Sequence, residues 1–283
     1  MKINSISATD PTFPSRLQEI PQRPKRLYTL GSLPKYSLGV AIVGTRKPTG
    51  YGRQITADLA SRLTERGAIV ISGLAHGVDG IAHEATAKAG GRTIAVLPSG
   101  LDRIYPSAHQ ALAHKIITQG GALVSEYEPG TPPLQYRFLE RNRLVSGLAD
   151  VVIVTEASIR SGTMNTTMHA LEQGKDVYAV PGPITSAMSA GCNALIAQGA
   201  TPIVDIEQFV ERLLPRDARA KQQTILAQTS EEQTIIDLLT EGITEGDDLQ
   251  ARSKLSPTSY SQALTMLEIR GAIRSLGANR WTL

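Results

Sequence analysis

From residue 40 to residue 204 the sequence alternates short apolar runs with longer stretches that carry an apolar stripe at helical spacing. That rhythm constrains the fold more than any other feature. Val40–Val43 is apolar without alternation and ends at Gly44, which suits a strand buried on both faces. Tyr51–Arg66 follows with Ile55, Leu59 and Leu63 in one helical stripe, closed by Gly67. The pairing then repeats as strand Ala68–Ile71 with helix Val78–Ala89, and strand Thr93–Leu97 with helix Ala108–Gln119. Strand Ala122–Ser125 leads through a long loop to a helix near Tyr136–Leu148, and strand Val151–Thr155 to helix Thr163–Gln173. Strand Val177–Val180, a helix near Ala190–Gln198 and a last strand at Pro202–Val204 complete the series. Strands alternating with helices of this length mean right-handed crossovers and a doubly wound, Rossmann-like parallel sheet of the α/β class.

The flanks read differently. Residues 1–36, spaced by Pro11, Pro14, Pro21, Pro24 and Pro34, are expected to be an irregular lead-in with one short helix, leaving the Rossmann-like core at 37–210. The polar stretch within 211–230 reads as a helix end and a linker. Helices over Glu232–Leu239, Asp247–Arg252 and Ser256–Arg270, then a β-ribbon over 271–283, make a small winged-helix-like domain at 231–283. Charge follows the same division: residues 1–224 carry a net +6 and residues 225–283 a net −3. The single cysteine, Cys192, cannot form an internal disulfide, and five scattered histidines do not make a cysteine-rich zinc site. No apolar run is long enough to span a membrane and the first ten residues are not a secretory signal, so a soluble protein of a reducing cytoplasm is expected.

In a doubly wound sheet, ligands sit beyond the carboxyl ends of the strands, so the loops there carry the functional reading. Four are glycine-rich: Gly44–Gly52, Ser72–Gly80, Pro98–Asp102 and Ser158–Thr163. Glycine lets backbone N–H groups approach a ligand closely, and the following helix offers partial positive charge at its first turn. One such loop is explained by tight turning alone. Four together, with Arg46 and Arg160 among them, read as a row of anion sites. Gly44 is followed by Thr45 and Arg46 rather than by the glycines of a dinucleotide loop, and Ser72-Gly73 stands where an acidic residue would hold a ribose. A nicotinamide cofactor and a P-loop are therefore both disfavoured.

The densest polar cluster is Phe138-Leu-Glu-Arg-Asn-Arg143. On a helix Arg141 and Arg143 diverge by about 200°, so both reach one ligand only from an irregular or terminal turn. Asn142 between them would add a bidentate hydrogen bond. The plainer alternative packs one arginine against Glu126 or Glu140 and leaves the other in solvent. Catalysis would need a nucleophile and a base, and Ser72, His76, Asp79 and His83 make a triad conceivable, although without a nucleophile elbow. Asp79 is placed to cap a helix starting at Gly80, Asp102 to cap or to hold an arginine, and Cys192 to be buried and inert.

Several ordered stretches together resemble the DNA-processing protein A (DprA, also called Smf) family. They are Ala41–Arg46 with Tyr51-Gly52, Ser72–Asp79 with Ala82-His83, and Gly91–Leu97 with Gly100–Asp102 and Tyr105-Pro106. Ser125-Glu126, Arg141–Arg143 with Gly147-Leu148, Glu156-Ala157 with Ser161–Thr163, Val180–Gly182, and Leu195-Ile196 with Gly199-Ala200 continue the match. The resemblance implies a Rossmann-like core that binds single-stranded DNA, forms a homodimer, and helps load a RecA-type recombinase during uptake of transforming DNA. It implies no catalysis. The family's phosphate-gripping arginine falls on Arg46, its Arg-Asn-Arg motif on Arg141 to Arg143, and its Lys-Ser-Gly-Ser stretch on Arg160 to Thr163. Leu139 and Thr163 depart from the family pattern without changing its charge. A sterile-α-motif-like N-terminal domain, found in many members, has no room in the lead-in.

The residues expected to touch DNA are thus Gly44, Thr45, Arg46, Lys47, Ser72, Gly73, Arg141, Asn142, Arg143, Arg160, Ser161, Gly162 and Thr163. No metal or other cofactor is expected, and no membrane span. With aromatics at only 4% of the chain, binding would rest on phosphates, with Tyr51, Tyr136 or Phe138 stacking one base. The alternative from another class is an enzyme on a nucleotide or phosphorylated metabolite, using the same glycine loops with His76, Asp79 or Asp102.

Overall fold

The computed structural model describes residues 2–215, 229–270, 272–277 and 279–282. Among them, one sheet holds nine strands: β1 (Asn4–Ser7), β2 (Arg26–Gly31), β3 (Gly39–Val43), β4 (Ile69–Ser72), β5 (Thr93–Val96), β6 (Ala122–Ser125), β7 (Val151–Val154), β8 (Asp176–Ala179) and β9 (Thr201–Pro202). Their spatial order is β1-β2-β6-β5-β4-β3-β7-β8-β9. From β6 to β9 every pairing is parallel. Every residue of β3 through β7 is buried, which is why these runs show no polar alternation.

The helices are α1 (Ser15–Gln18), α2 (Gly50–Glu65), α3 (Val78–Lys88), α4 (Gln110–Thr118), α5 (Gln135–Leu148), α6 (Thr163–Glu172), α7 (Ala190–Ala197) and α8 (Ile206–Leu213). Successive strand residues point to opposite faces. Ala41 and Val43 of β3 accordingly join a core with Leu17, Leu144, Leu148, Ala170 and Leu195, from α1, α5, α6 and α7. Val40 and Ile42 join another with Leu59, Leu63, Ala82, Phe209 and Val210, from α2, α3 and α8. The sheet grows from β3 through β4 and β5 to β6, then the chain returns to place β7 on the far side of β3. The order reverses between β3 and β7, and the crevice above such a switch point is where ligands of these folds bind.

Residues 1–36 are not an irregular lead-in. They supply β1, β2 and α1, and β2 pairs antiparallel with β6 to complete the sheet edge. Phe13, Leu17, Ile20 and Leu27 are buried in the main core. Arg16 fixes the segment with a two-pronged bond to Asp150, Nε to Oδ1 at 2.9 Å and Nη2 to Oδ2 at 3.0 Å. The prolines misled because they lie between these elements rather than within them. β1, with two exposed residues in Asn4-Ser-Ile-Ser7, has no apolar run to announce it. At the other end, α8 carries the core beyond residue 210: Leu213 and Leu214 pack against the buried Phe209 and Val210 cluster, and Arg66 pairs with Glu207 and Glu211. Much of the linker expected at 211–230 lies outside the described residues.

The chain divides at Pro215. The second unit contains α9 (Ser230–Thr240), α10 (Gly246–Ser253), α11 (Pro257–Ile269) and a ribbon of β10 (Arg274–Gly277) and β11 (Arg280–Thr282). Thr229 and Ser256 accept bonds from the first turns of α9 and α11, and Ile235, Leu249, Leu267 and Ile273 form the centre of the unit's own core. Three helices followed by a two-stranded ribbon is the winged-helix arrangement expected from the sequence. Among the described residues no helix is long and apolar enough to cross a membrane.

Candidate functional site

A cavity of about 280 Å³ opens at the switch point. Its walls come from the β3–α2 loop (Gly44, Thr45, Arg46), the β4–α3 loop (Gly73, Ala75, Asp79), the middle of α5 (Phe138, Arg141, Asn142) and the β7–α6 loop (Arg160, Ser161, Gly162, Thr163). Ten of the thirteen expected residues therefore meet around one space. Lys47, Ser72 and Arg143 do not line it.

Backbone packing sets the loops. Glu156, 2% exposed at the end of β7, accepts from both the N–H and the hydroxyl of Thr49, each at 2.8 Å. Its backbone carbonyl takes the Thr45 N–H at 2.7 Å, and the Thr45 carbonyl takes the Val78 N–H at 3.1 Å. Gly77, with φ +78°, lies so close to the first loop that a Cβ would stand 2.4 Å from the Thr45 carbonyl oxygen. A Gly77→Ala variant is therefore expected to lose about 1–3 kcal/mol and to displace Arg46. A denaturant melt together with a ligand titration checks both effects.

Arg46 and Arg160 are exposed, and neither has an ion-pair partner among the described residues. The Arg46 guanidinium lies 5.0 Å from the centre of the Phe138 ring, whose other neighbour is Tyr105, edge-on at 5.4 Å. Of the three aromatics expected to stack a base, only Phe138 lines the cavity. The Tyr51 hydroxyl is bound to the Pro181 carbonyl, and Tyr136 lies beside Arg137.

The two arginines of the Arg-Asn-Arg stretch part company, because α5 stays helical throughout. Arg141 turns under the cavity, 3% exposed, and donates to the carbonyls of Gly73 (2.6 Å) and Val96. Burial pulls it down to about 10, so it keeps its charge at neutral pH. Asp79 lies near it, raised by burial against the opposing pull of the Arg141 charge. Arg143 points elsewhere and pairs with Glu126 at 2.5 Å, as the plainer alternative had it, but Arg141 is buried rather than left in solvent, so neither alternative holds in full. Asn142 bridges instead to the β7–α6 loop and α6, donating to the Gly162 carbonyl (3.3 Å) and the Asn165 side chain (3.1 Å). Ser161 Oγ is left beside the cavity, buried and without a hydrogen-bond partner among the described residues.

Asp79 does not cap a helix from Gly80. The helix starts at Val78, and the carboxylate accepts from Gly73 N at 3.1 Å and Ala75 N at 3.4 Å, holding the β4–α3 loop shut. The conceivable triad is not assembled. Ser72 Oγ donates to the Ile42 carbonyl at 2.7 Å, while His83 Nδ1 meets Thr93 Oγ1 at 2.8 Å and burial pushes the ring down to about 3. Asp102 takes the Gly130 N–H at 2.7 Å, and burial lifts the Cys192 thiol to about 12. No cluster of three potential metal ligands occurs among the described residues. The sequence alone assigned no role to Glu156 or Gly77.

Two family models match the chain: DNA recombination-mediator protein A over residues 4–214, and the DprA winged helix domain over residues 219–279. A putative DNA processing protein DprA of Mycobacterium tuberculosis is 40% identical over 249 residues, which is 86% of this chain and 64% of that protein. The chain thus spans less than two thirds of that relative's length. Among solved structures, the chain is similar to DNA processing protein A of Helicobacter pylori, described for its single-stranded DNA binding mode. The TM-score is 0.69 at 36% identity, covering 76% of this chain and 96% of that one. DprA of Streptococcus pneumoniae aligns with a TM-score of 0.68 at 38% identity, over 74% of each chain.

Proposed function

This chain belongs to the DNA recombination-mediator protein A family, and on that premise we propose that it binds single-stranded DNA without reading its sequence. In this reading it is a non-enzymatic DNA-processing protein that shields incoming strands, acts as a homodimer and helps seat a RecA-type recombinase. What supports it above all is the gathering of Arg46, Arg141 and Arg160 around one cavity whose one carboxylate, Asp79, is already engaged with backbone N–H groups. A site with surplus fixed positive charge holds phosphates and needs no metal to supply it. Phosphate contacts position a strand but carry no sequence information. Arg46, Arg160 and Thr163 would grip the backbone, and Arg141 would supply charge from beneath.

The test is titration of a labelled oligonucleotide beside a panel of free nucleotides, in excess EDTA and without ATP. Strand binding should persist and fall only as monovalent salt rises, with duplex bound more weakly. Turnover of a nucleotide, strand cleavage or a magnesium requirement would instead favour an enzyme acting on a nucleotide or phosphorylated metabolite.

The winged-helix unit is acidic, and α11 presents Thr258, Ser261, Gln262 and Thr265 rather than arginines. A chain truncated after Pro215 is expected to keep its affinity for single strands to within about tenfold, or 1.4 kcal/mol. A larger loss in the same titration would assign the main grip to the second unit.

A further inference from the structure

Arg46 also lines a second recess, of about 680 Å³, whose walls come from α2, the β4–α3 loop, α3, and α4 with the turn before it. Arg53 enters from α2 and Lys115 from α4. Neither they nor Arg46 ion-pair with a carboxylate among the described residues. The one acid in the wall, Glu84, is paired with Lys88 at 2.9 Å. His109 is fixed in the wall because its Nδ1 donates to the Leu74 carbonyl at 2.9 Å, an oxygen that can only accept. The seat needs glycine at position 80, where a Cβ would come 2.6 Å from His109 Cε1. His76 stands edge-on to that ring at 5.0 Å, so the wall includes an aromatic pair of a kind on which bases stack.

Resting on the single-strand reading above, we infer that this recess is a second backbone subsite. It takes the phosphodiesters of the strand that occupies the first cavity, gripped by Arg53 and Lys115, with Arg46 shared by both. A mononucleotide carries its charge at one end and is satisfied by the first cavity alone. Two basic recesses joined at one arginine fit a polyanion whose charge repeats along its length.

The experiment measures affinity of the full chain for oligothymidylates from about 4 to about 16 nucleotides, the range of single-strand site sizes. The wild type is compared with Arg53→Ala/Lys115→Ala, and thermal melts of both check that the variant is folded. The wild type should gain affinity with length. The variant should match it on the shortest strand, gain little with length, and end at least tenfold weaker on the longest. Its salt slope on the longest strand should be lower by about 1.4, the share of two phosphate contacts. A variant that keeps the wild-type length dependence, or weakens equally at every length, overturns the subsite while leaving the first cavity's role intact. If the wild type binds no strand of any length, the single-strand reading itself falls, and the subsite with it.

Discussion

Replacing Arg141 with alanine is expected to lower the stability of the first unit by about 3–5 kcal/mol, the scale of two charge-assisted bonds lost from a buried site. The guanidinium is 3% exposed, donates to the Gly73 and Val96 carbonyls at the ends of neighbouring strands, and offsets the buried charge of Asp79. Removing it leaves two carbonyls short of a donor and a carboxylate short of its counter-charge. Arg141→Lys keeps the charge but lacks the planar fork, so it should recover only part of the loss. Denaturant unfolding followed by circular dichroism reads both variants. A midpoint shift for the alanine variant no larger than that of a surface substitution would show that Arg141 does not hold the strand ends together.

The double variant Arg46→Ala/Arg160→Ala should behave in the opposite way. Both side chains are exposed and neither has an ion-pair partner among the described residues, so the melting transition should stay close to that of the wild type. Affinity for a single strand should fall about a hundredfold at low salt, and the salt slope by about 1.4, because each phosphate contact on a single strand contributes roughly 0.7. A folded double variant with unchanged slope would move the DNA site away from the switch point. Together the two experiments divide the arginines of one cavity into a structural group and a ligand-facing group.

The parallel part of the sheet was legible because strands buried on both faces must be wholly apolar, and Val40–Val43 and Val151–Val154 are. The cavity was legible for a related reason: the loops at one edge of such a sheet converge, and glycine-rich ones with arginines stand out. What spacing could not supply was direction. Arg141 and Arg143 must diverge on a helix, but which one turns inward depends on Glu126, which lies at the end of β6 and takes Arg143. Asp79 lies inside the first turn of α3, which starts at Val78, and its carboxylate reaches back as a strut across the preceding loop rather than capping the helix. Strand β1 was hidden because edge positions tolerate polar residues, as in Asn4-Ser-Ile-Ser7.

That edge also has a consequence for the order in which the protein is made. Tyr28 of β2 is registered against Ser125 of β6, 97 residues later in the chain. At about 5–20 residues per second of synthesis, the β1–β2 pair leaves the ribosome roughly 5–20 seconds before its partner strand exists. During that interval β2 has one edge occupied by β1 and the other open. With only four residues, β1 makes the outer side of the nascent pair a poor template for another chain. Its inner side stays available for β6, the last strand needed to close that edge of the sheet.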